Sequence, residues 1–164
     1  MNAALLLAAQ LLTLLIVANG VPVLVTRLLG RRADWPLDGG LQAWDGRSLL
    51  GPSKTIRGLV ASVLATAAVA ALLGLGWPVG LLFGTASMIG DLCSSFLKRR
   101  LGIESSGQAV GLDQLPEALF PLLACYALLP LNALLVVVVV TLFALGQLLL
   151  SPLMYRLGIR RRPY

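Results

Sequence analysis

Hydrophobic and charged positions follow one another along this chain in long blocks. Residues 1–25, 58–90 and 118–155 carry no Asp, Glu, Lys or Arg, and every charged side chain falls in one of three clusters, Arg27 to Arg57, Asp91 to Glu117 and Arg156 to Arg162. A helix rises about 1.5 Å per residue and must cross roughly 30 Å of hydrocarbon, so about 20 apolar residues make one crossing. The first block fits one helix. The other two are too long for one, and each is interrupted near its middle, by Gly74-Leu75-Gly76-Trp77-Pro78 and by Leu129-Pro130-Leu131-Asn132. Such Gly and Pro combinations end helices and form turns. Each long block therefore reads as a hairpin of two helices that returns to the side it left. The pattern predicts an all-α, polytopic membrane protein with five transmembrane helices, at 3–26, 54–74, 78–99, 114–129 and 132–156.

Composition agrees with the pattern. The chain has 164 residues, 58% hydrophobic and only 12% charged, against roughly 25% charged in soluble domains. That length allows one compact domain. Because both hairpins return, parity puts all three charged clusters on one side, with all thirteen Lys and Arg. The positive-inside rule makes that side cytoplasmic, with the N-terminus outside and the C-terminus inside. A cleaved signal peptide is the rival reading of residues 1–25, but a positively charged start and a small-residue cleavage site are both missing, so a retained helix is expected. The net charge of +6 is what this topology produces, and it favours anionic lipid headgroups rather than nucleic acid. Cys93 and Cys125 fall within predicted helices and imply neither a disulfide nor a metal framework. The absence of His removes the commonest general base and metal ligand.

The informative residues are polar groups that a membrane makes expensive to place. Asn19-Gly20 and Pro22 precede the first basic segment. Pro lacks a backbone donor, so the first helix is expected to loosen or end there, as an interfacial terminus or a substrate-lining kink. In Gly51-Pro52-Ser53-Lys54-Thr55-Ile56-Arg57-Gly58, Ser53 is the expected N-cap of the second helix, whose free N–H groups favour an anion. Lys54 and Arg57 share a face at that end, either as positive-inside anchors or as a phosphate site. The glycine spacing is wrong for a P-loop, and no strand precedes it.

Near the end of the third helix, Asp91, Ser94, Ser95 and Lys98 form one stripe at 100° per residue. A carboxylate placed there needs either Lys98 or a bound cation as partner. After the Glu104-Ser105-Ser106-Gly107-Gln108 loop, Asp113 is placed to cap the fourth helix, and Glu117, four residues on, faces the same way. Two or three carboxylates and several cations thus converge on one rim. Hard oxygen ligands suit Mg²⁺, and Lys and Arg around it suit a polyphosphate. The residues point to phosphoryl or nucleotidyl chemistry at the membrane surface.

The stretches Asp45-Gly46-Arg47 … Gly51 … Lys54-Thr55 … Arg57-Gly58, then Gly90-Asp91 … Ser95-Phe96-Leu97-Lys98-Arg99-Arg100-Leu101-Gly102-Ile103, then Leu112-Asp113-Gln114-Leu115, resemble the CDP-archaeol synthase family, which is related to the phosphatidate cytidylyltransferases. The resemblance follows the charged clusters in order and covers most of the chain, as one membrane-embedded cytidylyltransferase-like domain over 1–164, of bacterial type. It implies transfer of CMP from CTP to a lipid phosphate, of isoprenoid- or acyl-glycerol type, forming CDP-lipid and pyrophosphate with Mg²⁺. Asp91 and Asp113 would hold the metal and, with Lys98, carry the catalysis. Lys54, Arg57, Ser95, Lys98 and Arg99 would bind the triphosphate and the lipid phosphate. In the family pattern a second Asp is expected three residues after Asp113; this chain has Pro116 followed by Glu117, which makes Glu117 the candidate replacement ligand. The expected setting is the bacterial cytoplasmic membrane, with the site facing the cytoplasm and a homodimer compatible with the lipid-facing surface. The competing readings are a catalytically inactive lipid or nucleotide binder of the same fold and a small transporter with Asp91 as an ion relay. CDP-alcohol phosphotransferases are disfavoured, because their Asp-rich repeat is absent.

Overall fold

The computed structural model describes residues 3–156 other than Arg31, Ser106 and Gln108, and leaves the side chains at 151–154 and 156 undescribed. Arg160 to Arg162, read above as topological charge, lie outside the described residues, as do Arg31, Ser106 and Gln108. Among the described residues five helices follow in order: α1 Ala3–Leu29, α2 Ile56–Leu72, α3 Trp77–Arg100, α4 Gln114–Ala124 and α5 Ala133–Arg156. Among the described residues no strand forms beyond two isolated bridges, Pro36 with Thr55 and Gln42 with Ser48. Three of the described segments are long and apolar enough to cross a membrane, Ala3–Leu29, Trp77–Arg100 and Ala133–Leu150; Ile56–Leu72 is apolar but shorter.

α3 is central and packs on α2, α4 and α1. Leu11, Leu14, Leu15 and Ala18 of α1 are fully buried, with Phe83 of α3, Leu122 of α4 and Val139 of α5. Exposed leucines and valines such as Leu64, Leu72, Leu134 and Val137 cover the outside, the surface a lipid solvent requires. Lipid tails are as apolar as these side chains, so the helices associate through close packing and polar contacts. Both are present. A Cβ built on Gly80 would lie 2.6 Å from the Ala67 Cα, and one on Gly84 3.2 Å from the Val63 Cα, so these two glycines let α3 lie against α2. Ser62 donates to the Ala18 carbonyl at 2.6 Å, and Gln10 to the Leu73 carbonyl at 2.9 Å. Ser87 of α3 donates to the Glu117 carbonyl of α4 at 3.1 Å.

Three local expectations are corrected. α1 runs through Pro22 to Leu29, a little beyond the expected 3–26, so the terminus considered at Asn19-Gly20 and Pro22 does not form. The Asn19 amide donates to the Leu15 carbonyl at 2.9 Å, and Ser87 lies 3.5 Å from it. Thr55, not Ser53, caps α2, its hydroxyl accepting from the Gly58 N–H at 3.3 Å. Asp113 occupies the N-cap position of α4, but its backbone is helical and its side chain makes no cap bond.

Candidate active site

The loop between α1 and α2 is folded around one carboxylate. Asp38 accepts from the backbone N–H groups of Gly40 at 3.0 Å, Leu50 at 2.9 Å and Gly51 at 3.0 Å. It is buried, which by itself would raise its pKa, but those three donors outweigh the burial and hold the carboxyl below the ordinary aspartate range. With the loop closed in this way, Leu37 donates to the Lys54 carbonyl at 2.7 Å and Ile56 to the Trp35 carbonyl at 3.2 Å. Lys54 is thereby delivered to the start of α2.

Lys54 crosses to α3 and meets Asp91, with Nζ 2.6 Å from Oδ1 and 2.5 Å from Oδ2. Asp91 therefore pairs with Lys54, and Lys98 turns elsewhere. The Lys98 ammonium lies 2.5 Å from Asp113 Oδ1 and donates to the Gly107 carbonyl at 3.0 Å. Asp113 also accepts from the Ala109 N–H at 2.9 Å, which fastens the loop before α4.

Glu117 enters from α4 as the third carboxylate. It is 8% exposed, and its carboxyl lies against that of Asp91. The close approach depends on Gly90. A Cβ there would fall onto the Pro116 carbonyl and 2.9 Å from the Glu117 nitrogen, so only glycine admits the α4 backbone beside Asp91. Gln147 of α5 donates to Glu117 Oε2 at 3.2 Å.

The remaining candidates divide. Arg99 is 6% exposed, donates to the Glu104 carbonyl at 2.6 Å and lies under Gly51 and Ser105. Its Nε has no hydrogen-bond partner. Ser95 is buried on the same end of α3. Arg57 is turned toward the end of α1, where it pairs with Asp34 at 2.6 Å and donates to the Gly30 carbonyl at 2.8 Å and to the Arg32 carbonyl. The structure does not bring it to Asp91. A small open crevice reaches the Lys54–Asp91 pair between Pro22 and Thr26 of α1, Ser53 and Met88.

Asp38 and Gln147 belong to none of the motifs above, and Gly90 enters them only as the neighbour of Asp91. Gln147 had a signal, an amide in an otherwise apolar helix, which a membrane makes costly. Among the described residues no three His, Cys, Asp or Glu side chains converge as metal ligands. Two do approach, Asp91 and Glu117, and Mg²⁺ ordinarily takes one or two protein carboxylates with water and phosphate oxygens. Lys54 balances one of those two negative charges. The donor set, hard oxygen and one positive charge short of neutral, fits a divalent cation.

Known proteins resemble this chain in sequence and fold. Residues 4–164 match the CarS-like family, described as CDP-archaeol synthase. The CDP-archaeol synthase of Hyperthermus butylicus is 38% identical over 116 residues, 67% of this chain and 66% of that protein. That of Methanopyrus kandleri is 44% identical over 49% of this chain and 50% of its own length. That of Thermofilum pendens is 35% identical over 90% of this chain and 76% of that protein. The matched stretch thus spans about half to two thirds of the first two relatives. A solved structure described as an intramembrane enzyme for archaeal membrane lipid biosynthesis superposes with a TM-score of 0.70 at 31% identity, covering 83% of this chain and 89% of its own.

Proposed function

This chain belongs to the CarS-like CDP-archaeol synthase family, and we propose that it is a CTP-dependent cytidylyltransferase that transfers CMP to a lipid phosphate, forming CDP-lipid and pyrophosphate. The observation that carries the reading is the joining of Lys54, Asp91 and Glu117, from three separate segments, beside the Lys98–Asp113 pair. In the reaction an oxygen of the lipid phosphate monoester attacks the α-phosphorus of CTP. A new P–O bond forms, the bond between the α-phosphorus and the bridging oxygen breaks, and pyrophosphate leaves. A phosphate monoester is already mostly dianionic near neutral pH, so no general base is required, in keeping with a chain that has no His. The protein has to align anions and neutralise their charge.

Asp91 and Glu117 would hold Mg²⁺, with Asp113 close by through its Lys98 pairing. Bound there, the ion would supply charge neutralisation on the triphosphate. Lys54 and Lys98, now held by carboxylates, are the donors that would turn to phosphate oxygens. Arg99, buried with an unmatched N–H, would add a further donor, with Ser95 beside it. Arg57 would act at a distance from this centre, by fixing the start of α2 to the end of α1. The chain would pass five times between the two faces, the 11-residue α4 being continued by the turns after Cys125, with the charged ends on the cytoplasmic side and the N-terminus outside. A homodimer would be compatible with the exposed apolar surface. The relatives are archaeal, and the expectation of a bacterial membrane draws no support from them.

The test is the fate of each phosphate. Purified protein in detergent with Mg²⁺ and a panel of ether- and ester-linked glycerol phosphates is given CTP labelled at the α or the γ position. The α label should enter the lipid fraction and the γ label should leave as pyrophosphate. Exclusion of the α label from every lipid, with CTP still bound, would contradict the proposal and favour an inactive binder.

A further inference from the structure

Gln147 is the one residue of α5 whose side chain reaches the carboxylate cluster among the described contacts, and it does so through Glu117. The rest of that helix is nearly all apolar, from Ala133 through the Val136–Val140 run to Leu150. A primary amide in such a helix is costly unless it is satisfied. Here its N–H points at Glu117 Oε2, at 3.2 Å, on a side chain that also faces Asp91.

Glu117 has a particular need of such a partner. It is carried on a helix of 11 residues, with Pro116 before it and Pro121 after it. Its backbone is pinned against Gly90 and its carbonyl accepts from Ser87. The backbone is therefore fixed while the carboxylate, on two further carbons, can swing. Asp91 would repel an ionised Glu117, and Lys54 is already engaged with both Asp91 oxygens. Without a donor on its far side, Glu117 would turn away from Asp91.

We propose that Gln147 is a positioning residue: its amide holds the Glu117 carboxylate beside Asp91, so that the two present their oxygens together to a divalent cation. This rests on the reading of Asp91 and Glu117 as the cation site. Groups that orient a metal ligand typically change metal affinity or activity by about 10–100-fold when removed. Gln147→Leu removes the donor at nearly constant volume and suits an apolar helix, so the fold is retained.

The experiment uses Mn²⁺ as the probe, titrated by electron paramagnetic resonance into purified wild type, Gln147→Leu, Glu117→Gln and the double variant, without CTP. Melting temperatures in detergent are recorded alongside. Mn²⁺ binding should weaken about 10-fold in Gln147→Leu, with an unchanged melting temperature. Gln147→His, which keeps a donor, should recover most of the affinity. In the Glu117→Gln background the Gln147→Leu change should add nothing, because the amide acts only through Glu117. If Glu117→Gln weakens Mn²⁺ binding and Gln147→Leu does not, the positioning role is overturned while the cation site stands. If Glu117→Gln itself changes nothing, the site reading fails and the positioning role falls with it. Equal weakening by Gln147→Leu in both backgrounds would also overturn the proposal, since the effect would not pass through Glu117.

Discussion

Gly90 and Asp38 are the residues on which the site's geometry turns, and neither touches a reacting group. Gly90 lets α4 approach so closely that any added Cβ meets the Pro116 carbonyl. Gly90→Ala is therefore expected to push α4 off α3, costing about 1–3 kcal/mol as an overpacked contact. A lowered melting temperature in detergent, with loss of activity, checks this. Asp38 holds the α1–α2 loop through three backbone N–H groups. Its lowered pKa gives the folded state an advantage that is complete above the unfolded value of about 3.9 and lost as pH falls through the lower folded value. Asp38→Asn should remove that acid-sensitive step, and the loop should be cut faster by protease at neutral pH. Asp91 was legible in the sequence because a carboxylate inside an apolar helix demands a partner. Its actual partner was not. Lys54 lies 37 positions away, and Lys98, on the same helical stripe, looked closer; only the α2–α3 crossing decides between them.

At the scale of elements, charge-free blocks and the Gly/Pro breaks between them located five helices, and α2 through α5 begin within a few residues of where the pattern put them. The ends were harder, because capping depends on side-chain geometry. Thr55 and Ser53 both suit an N-cap, and the choice fell to Thr55 once Leu37 and Ile56 had fixed the loop backbone. Thr55→Ala should cost about 1 kcal/mol of stability, read as a shift in melting temperature, whereas Ser53→Ala should leave it in place. Pro22 misled for a related reason. A proline in a helix frees the carbonyl four residues before it, here that of Ala18; Ser62 of α2 donates to that carbonyl at 2.6 Å, and the helix continues. α4, at 11 residues, is shorter than the predicted span because the chain turns at Cys125.

For the whole molecule, the pattern of charge predicts that the loop before α2 and the loop before α4 lie on one side of the membrane, and the α2–α3 and α4–α5 turns on the other. Single cysteines at the exposed positions Leu41, Val110, Leu72 and Leu128, in a background lacking Cys93 and Cys125, test this by impermeant labelling. Leu41 and Val110 should react from the cytoplasmic face and Leu72 and Leu128 from the opposite one; labelling of Leu41 and Val110 from different faces would break the hairpin topology. What makes the molecule an enzyme in this account is that the charged ends of α2, α3 and α4 meet in one place. The most direct measurement is the initial rate of CDP-lipid formation by Asp91→Asn, at saturating CTP and Mg²⁺, with the melting temperature as control. The account predicts a loss of about 100-fold or more in a protein that still folds. A folded Asp91→Asn protein within about twofold of the wild-type rate, against that expected loss, would contradict it.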